Sequence, residues 1–271
     1  MNLLITGITG FVGSHLADYI LQNHPDNELY GIKRWRSPLD NINHIKKLKL
    51  YDCDLRDLSS LITVFGKIKP DIIFHLAAQS FVSTSYTAPA DTIDTNVVGT
   101  VNLLETVRIL KINPIIHICS SSEVYGQVSE KDVPIKESCP LRPVSPYAVS
   151  KVGEDMAGLM YYEAYGLKTI RTRMFTHTGP RRGRVFVVSF FAKQLAQIEK
   201  KIQEPVLRVG NLDSVRTFCD VRDAVRAYWI LVHKCKPGEV YNVGGTVTKT
   251  IREMLDMLLS HLNFPGKIQI K

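Results

Sequence analysis

Asn2-Leu3-Leu4-Ile5-Thr6-Gly7-Ile8-Thr9-Gly10-Phe11-Val12-Gly13 is a short apolar run that breaks into three glycines spaced three apart. An amphipathic stretch, Ser14 to Asn23, follows directly. The run reads as a first β-strand, the glycines as a turn and the stretch as a helix. A turn of this kind needs glycine for a tight bend, for close approach of backbone to a pyrophosphate, and for tight helix-to-strand packing, with the phosphate at the helix N-terminus. Glycines can also be plain loop punctuation. The strand-turn-helix setting favours a nucleotide site.

Outward from this stretch, short apolar runs alternate with helix-length segments. Strands are expected at Asn2 to Thr6, Glu28 to Gly31, Leu48 to Asp52, Ile72 to Leu76, Ile115 to Ser120 and Lys168 to Arg173. Helices are expected between them, at Ser14 to Asn23, Leu58 to Lys67, Ile93 to Leu110 and Tyr147 to Ala164. The runs are too apolar for one-sided burial, so the rhythm predicts an α/β fold, a Rossmann-type doubly wound parallel sheet covered on both faces. After Phe175 the rhythm changes. Helices are expected near Val187 to Glu199, Val221 to His233 and Thr250 to Leu262, with strands at Val206 to Val209 and Val240 to Val243. Residues 1–175 are thus expected to form the nucleotide-binding Rossmann domain. Residues 176–271 are expected to form mainly a smaller, substrate-binding lobe, with some segments returning to the sheet.

Composition narrows the function classes. The chain has 271 residues, 45% of them hydrophobic, enough to bury a substantial core. No run of eighteen apolar residues occurs, so no membrane association is expected, and the N-terminus lacks the basic segment and cleavage site of a signal peptide. Cys53, Cys119, Cys139, Cys219 and Cys235 are dispersed, without Cys-x-x-Cys spacing. Reduced thiols in a cytoplasmic protein and no metal site are expected. The formal charge of +8 invites a nucleic-acid partner. However, the basic residues are scattered and have no aromatic stacking platform, so a phosphate-bearing small ligand is expected instead.

Where enzymes specific for NAD often place an acid after the second strand, this chain reads Ile32-Lys33-Arg34-Trp35-Arg36. The guanidinium forks of Arg34 and Arg36 suit a 2′-phosphate, so NADP is the expected cofactor, with NAD the alternative. Asp54 and Leu55 after the third strand are placed near the adenine. The stretch Leu76-Ala77-Ala78-Gln79-Ser80 after the fourth offers small residues for close passage of a cofactor.

Tyr147 and Lys151 lie four residues apart in Ser145-Pro146-Tyr147-Ala148-Val149-Ser150-Lys151. On a helix they share a face one turn apart. A lysine there favours the phenolate and draws the tyrosine towards working pH, which suits proton transfer with a sugar hydroxyl.

Together TGITGFVG, HLAAQS, TNVVGT, SSSEVYG and SPYAVSK resemble the extended short-chain dehydrogenase/reductase family. The resemblance runs in register over most of the chain. It implies a bound nicotinamide cofactor held by Gly7, Gly10, Phe11, Val12, Gly13, Tyr147, Lys151 and His177, among others. It also implies catalytic roles for Ser121, which orients substrate, Tyr147, the acid/base, and Lys151, with Asn96 as a structural brace. Glu123 matches the glutamate that nucleotide-sugar 4,6-dehydratases use at C5; as an alternative it caps the following turn. Ser122, Ala78 to Val82 and Pro180-Arg181-Arg182-Gly183 are similar to enzymes acting on GDP-mannose as 4,6-dehydratases. Val209 to Arg216 and Tyr241-Asn242-Val243 look closer to GDP-4-keto-6-deoxymannose reductases. The resemblance implies a GDP-sugar substrate contacted by Ser80, Ser122, Thr176 and Arg216, and a homodimer or homotetramer. Thr176 departs from the asparagine usual before the histidine, which weakens that contact. The chain also ends earlier than is usual for the family, so either a further stretch lies beyond Lys271 or the member is short.

Overall fold

The computed structural model describes residues 1–271. The opening apolar run is β1 (Asn2–Thr6), and the glycine turn leads into α1 (Phe11–Asn23). Next come β2 (Glu28–Lys33), β3 (Lys49–Asp52), α2 (Leu58–Ile68) and β4 (Ile72–His75). Short helices α3 (Val82–Thr87) and α4 (Pro89–Ile93) precede a π turn, Asp94–Val98, and α5 (Gly99–Ile109). Then β5 (Ile115–Ser121) ends in a 3-10 turn, Ser122–Tyr125, and α6 (Pro146–Tyr165) leads to β6 (Lys168–Met174). The rest comprises β7 (His177–Thr178), α7 (Val187–Glu199), β8 (Val206–Leu207), β9 (Val215–Asp220), α8 (Val221–Lys234), β10 (Val240–Val243), β11 (Val247–Thr250), α9 (Ile251–Ser260) and β12 (Gln269–Ile270).

Two units result: Met1–Phe175 with Val221–Val243, and Thr176–Asp220 with Gly244–Lys271. In the first, all seven strands are parallel in the order β10-β6-β5-β4-β1-β2-β3. The chain fills one side of β1 with β2 and β3, then crosses to β4 on the other side. That reversal between β1 and β4 is the switch point where doubly wound sheets bind ligands at their carboxyl ends. Central strands β1 and β4 are buried almost throughout, as the apolar runs require. Core side chains Leu4, Phe65, Ile73, Leu104 and Ile118 pack together between sheet and helices. In the second unit, β9 pairs with β7 and β11, and Leu207, Phe191 and Leu255 lie in a separate apolar core.

Local sequence sets the helix starts. Asp57 caps α2 by accepting from the Ser59 and Ser60 amides, and Ser145 caps α6 by accepting from Ala148, with Pro146 next in line. Thr250 and Glu253 form a reciprocal capping box on α9. In the interior, Asp155 on α6 accepts from Arg171 at 2.8 Å and Arg173 at 2.7 Å on β6.

The structure departs from the expected elements in several places. Instead of one helix from Ile93 to Leu110, α4, a π turn and α5 succeed one another. The extra residue of the π turn re-aims Asn96 into the interior, where it is fully buried. β2 runs on to Lys33 because its tail pairs with β3, and α9 starts after Thr250, which is its cap. β8 stops at Leu207. Strands β7, β9, β11 and β12 and helix α3 were not expected: they are short or polar, and carry no long apolar run.

Candidate active site

At the end of β1, Gly7 takes a left-handed φ of +68°, and the Gly10 amide donates to its carbonyl at 3.0 Å. A Cβ on Gly7 would meet the Ala77 backbone at 2.8 Å, and one on Gly13 would meet the Gly7 oxygen at 2.4 Å. The turn is therefore closed to any larger residue at those positions. Thr6 fixes the neighbouring strand end, since its hydroxyl accepts from the Leu76 and Ala77 amides at 3.0 and 3.1 Å. Phe11 and Val12 begin α1 half-buried, and Leu76, Ala77 and Ala78 are half-buried opposite the turn. This glycine cradle at a helix N-terminus fits a dinucleotide pyrophosphate.

Arg34 and Arg36 follow β2. Lys33 is engaged by Asp52 at 2.5 Å, and the Arg36 guanidinium lies 4.4 Å from the Trp35 ring centroid. The loop beyond is tied back twice. The Asn41 side-chain amide donates to the Thr9 carbonyl at 3.0 Å, and His44 reaches Asp18 at 2.7 Å. Asp54 pairs with Arg56 at 3.0 Å, which holds its carboxyl below the usual range. The Leu55 side chain is buried in the core, against Gly99, rather than turned outward.

Ser121 ends β5, and Tyr147 and Lys151 lie in the first turns of α6. The helix cap at Ser145 and the neighbouring strand end bring the three together. Lys151 Nζ is 5.9 Å from the Tyr147 ring centroid and donates to the Cys119 carbonyl and to Glu154, each at 2.9 Å. Burial raises the Tyr147 phenol pKa, against the pull of the Lys151 charge and a hydrogen bond with Ser121. The expected lowering is thus outweighed here by desolvation, because the ring lies 9% exposed and Lys151 shares its charge with Glu154. Glu123 sits exposed on the turn after Ser121, its amide donating to the Ser121 hydroxyl at 3.2 Å. Ser121 therefore caps the turn that carries Glu123. Ser122 is half-buried beside it, and Ser80 is exposed after β4.

Asn96 braces this end of the sheet. Its side chain accepts from the Gln79 amide at 2.8 Å and donates to the Gln79 carbonyl and the Ser150 hydroxyl at 3.0 and 2.8 Å. Thr176, His177 and Arg216 belong to the second unit. The Thr176 carbonyl accepts from Cys219, His177 pairs in register with Cys219, and exposed Arg216 donates to the Val215 carbonyl at 2.8 Å.

Two contributors escaped the sequence reading: Thr6, whose role depends on the β1–β4 pairing, and Glu154. The i,i+3 spacing of Lys151 and Glu154 is visible in the sequence, although the complete burial of Glu154 is not.

A parallel sheet with its switch point at a glycine cradle, joined to a buried Ser-Tyr-Lys cluster, defines a short-chain dehydrogenase/reductase. A family model described as GDP-mannose 4,6 dehydratase matches residues 4–269. The chain belongs to that family. It is 36% identical to the GDP-mannose 4,6-dehydratase of Vibrio cholerae, over 97% of this chain and 74% of that protein. It is 33% identical to the GDP-6-deoxy-D-mannose reductase of Pseudomonas aeruginosa, over 95% of this chain and 79% of that one. Among solved structures, RMD from Pseudomonas aeruginosa complexed with NADPH superposes with a TM-score of 0.85 at 30% identity, covering all of this chain and 85% of the other. No helix is long and apolar enough to cross a membrane.

Proposed function

We propose that the protein is an NADP-dependent GDP-mannose 4,6-dehydratase, with the Gly7-Gly10-Gly13 cradle holding the cofactor pyrophosphate and Arg34 and Arg36 its 2′-phosphate. The observation that carries this reading is Glu123, exposed on the one-turn helix that Ser121 caps, in a chain matching the dehydratase family from residue 4 to residue 269. A nicotinamide bound there would take hydride from C4 of the sugar and return it at C6. Ser121 orients the 4-hydroxyl and Tyr147 removes its proton, aided by the charge of Lys151. The resulting ketone acidifies C5. Glu123 takes the C5 proton and assists loss of the 6-hydroxyl as water, while Ser80, Ser122, Thr176, His177 and Arg216 contribute to holding substrate and cofactor.

The second reading is the 4-keto reductase, favoured by the likeness to the Pseudomonas reductase. It uses Tyr147 and Lys151 but needs no base at C5. Incubation with GDP-mannose and catalytic NADP should yield a 4-keto-6-deoxy sugar nucleotide. Turnover only with the keto sugar and stoichiometric NADPH would select the reductase. For assembly, Val98 and Ile109, eleven residues apart, and likewise Val149 and Met160, present exposed apolar faces on the adjoining π turn and α5 and on α6. These faces support a homodimer or homotetramer. Cys53, Cys119, Cys139 and Cys235 are free thiols, in keeping with a cytoplasmic setting.

A further inference from the structure

Glu154 has no part in the chemistry above, yet it is one of the most deeply buried carboxyls in the protein. It is 1% exposed, its Oε2 accepts from Lys151 Nζ at 2.9 Å, and its Oε1 is buried without a hydrogen-bond partner. An ammonium has three N–H donors. Two of those on Lys151 go to fixed groups, the Cys119 carbonyl on β5 and Glu154 one turn along α6, so the direction of the third is set. We propose that Glu154 is a positioning residue that orients Lys151 and, through its own charge, sets the pH range over which Tyr147 acts as a base.

The physical basis is the net charge that Tyr147 faces. With Glu154 ionised, the carboxylate offsets part of the pull that Lys151 exerts on the phenol; with Glu154 neutral, the full lysine charge acts on it. Burial pushes the Glu154 carboxyl up to about 7, against the pull of Lys151, and the unpartnered Oε1 is a natural place for that proton. The other titratable or charged groups around the pair are known. On α6 they are Tyr147 and Asp155, and Asp155 is itself engaged by Arg171 and Arg173 of β6. From the sheet come Cys119 of β5 and His75 of β4, the latter buried and held neutral, with its pKa lowered to about 3 by burial. None of them other than Lys151 makes a hydrogen bond to the Glu154 carboxyl.

This inference rests on Tyr147 being the acid/base group, and two variants and two readouts test it. Glu154→Gln keeps an acceptor for Lys151 and removes the charge; Glu154→Leu removes both. In both, the acidic limb of the kcat/KM profile for GDP-mannose oxidation should move down by about one pH unit, since the phenolate is no longer opposed by a carboxylate. Glu154→Leu alone should also weaken NADP binding several-fold, because Lys151 loses its orientation. The same shift should appear in the tyrosinate absorbance of the NADP-bound protein, taken as the difference from Tyr147→Phe. This second readout needs no turnover. Failure to convert GDP-mannose would count against the proposed reaction while leaving the titration to judge Glu154. A Tyr147 midpoint that stays in place or rises in both variants would overturn the proposal, whatever happens to their thermal stability.

Discussion

Tyr147 is a phenol held out of water between a cation and a hydroxyl, and its burial currently dominates. Its removal should therefore be felt in turnover and hardly at all in folding. Tyr147→Phe is expected to lower kcat by about 10²- to 10⁴-fold, the usual contribution of a positioned acid/base group, with little change in NADP affinity by fluorescence titration. Glu123 separates the two readings of the reaction. Glu123→Gln should stop formation of the keto sugar from GDP-mannose by about 10²-fold or more, measured by product chromatography, and largely spare reduction of a keto sugar by NADPH. Equal losses in both assays would assign Glu123 to the turn alone.

At the scale of elements, the glycine turn and the α6–β6 contact are the most constrained. Gly13→Ala would drive a Cβ to 2.4 Å from the Gly7 carbonyl, so the turn must open. NADP binding is expected to fall by at least tenfold in calorimetry, with the sheet intact by circular dichroism. Asp155→Asn leaves two buried guanidinium groups short of a carboxylate and is expected to cost about 3–5 kcal/mol in denaturant unfolding. The central strands of the parallel sheet were legible in the sequence because β1, β4 and the first part of β5 are near-continuous apolar runs. The Tyr147 and Lys151 pair was legible from its four-residue helical spacing, and Ser121 beside it only through the family resemblance. The π turn at Asp94–Val98 was not, because hydrophobic spacing barely changes when a single residue is inserted. Nor was the small sheet of β7, β9 and β11. Val215 to Asp220 has three polar residues among its six, and becomes a strand only through partners about thirty residues further on and about forty residues back.

Across the whole molecule, two buried imidazoles link stability to pH. His75 bridges Thr6 and Thr100, while His117 meets Thr172 and packs against Tyr228; burial lowers both to about 3 from 6.5. The unfolded chain takes up these protons first, so their contribution is complete above pH 6.5 and is lost as pH falls from there towards 3. Thermal melts should show Tm declining steadily over that interval, and His117→Gln should flatten the decline. Self-association belongs to the same scale. Val149→Lys, on the exposed face of α6, is expected to shift the mass seen by light scattering towards the monomer without loss of helix content.

The ties from Asn41 to Thr9 and from His44 to Asp18 carry a practical consequence for protein engineering. They anchor the arginine-bearing loop to the glycine turn and to α1 from outside the stretch that would meet the ribose. Its backbone course is thus held in part by contacts that involve neither Arg34 nor Arg36. Coenzyme preference should be exchangeable by altering those two side chains alone, with no loop transplanted, which makes this segment a compact handle for retargeting the enzyme from one dinucleotide pool to the other.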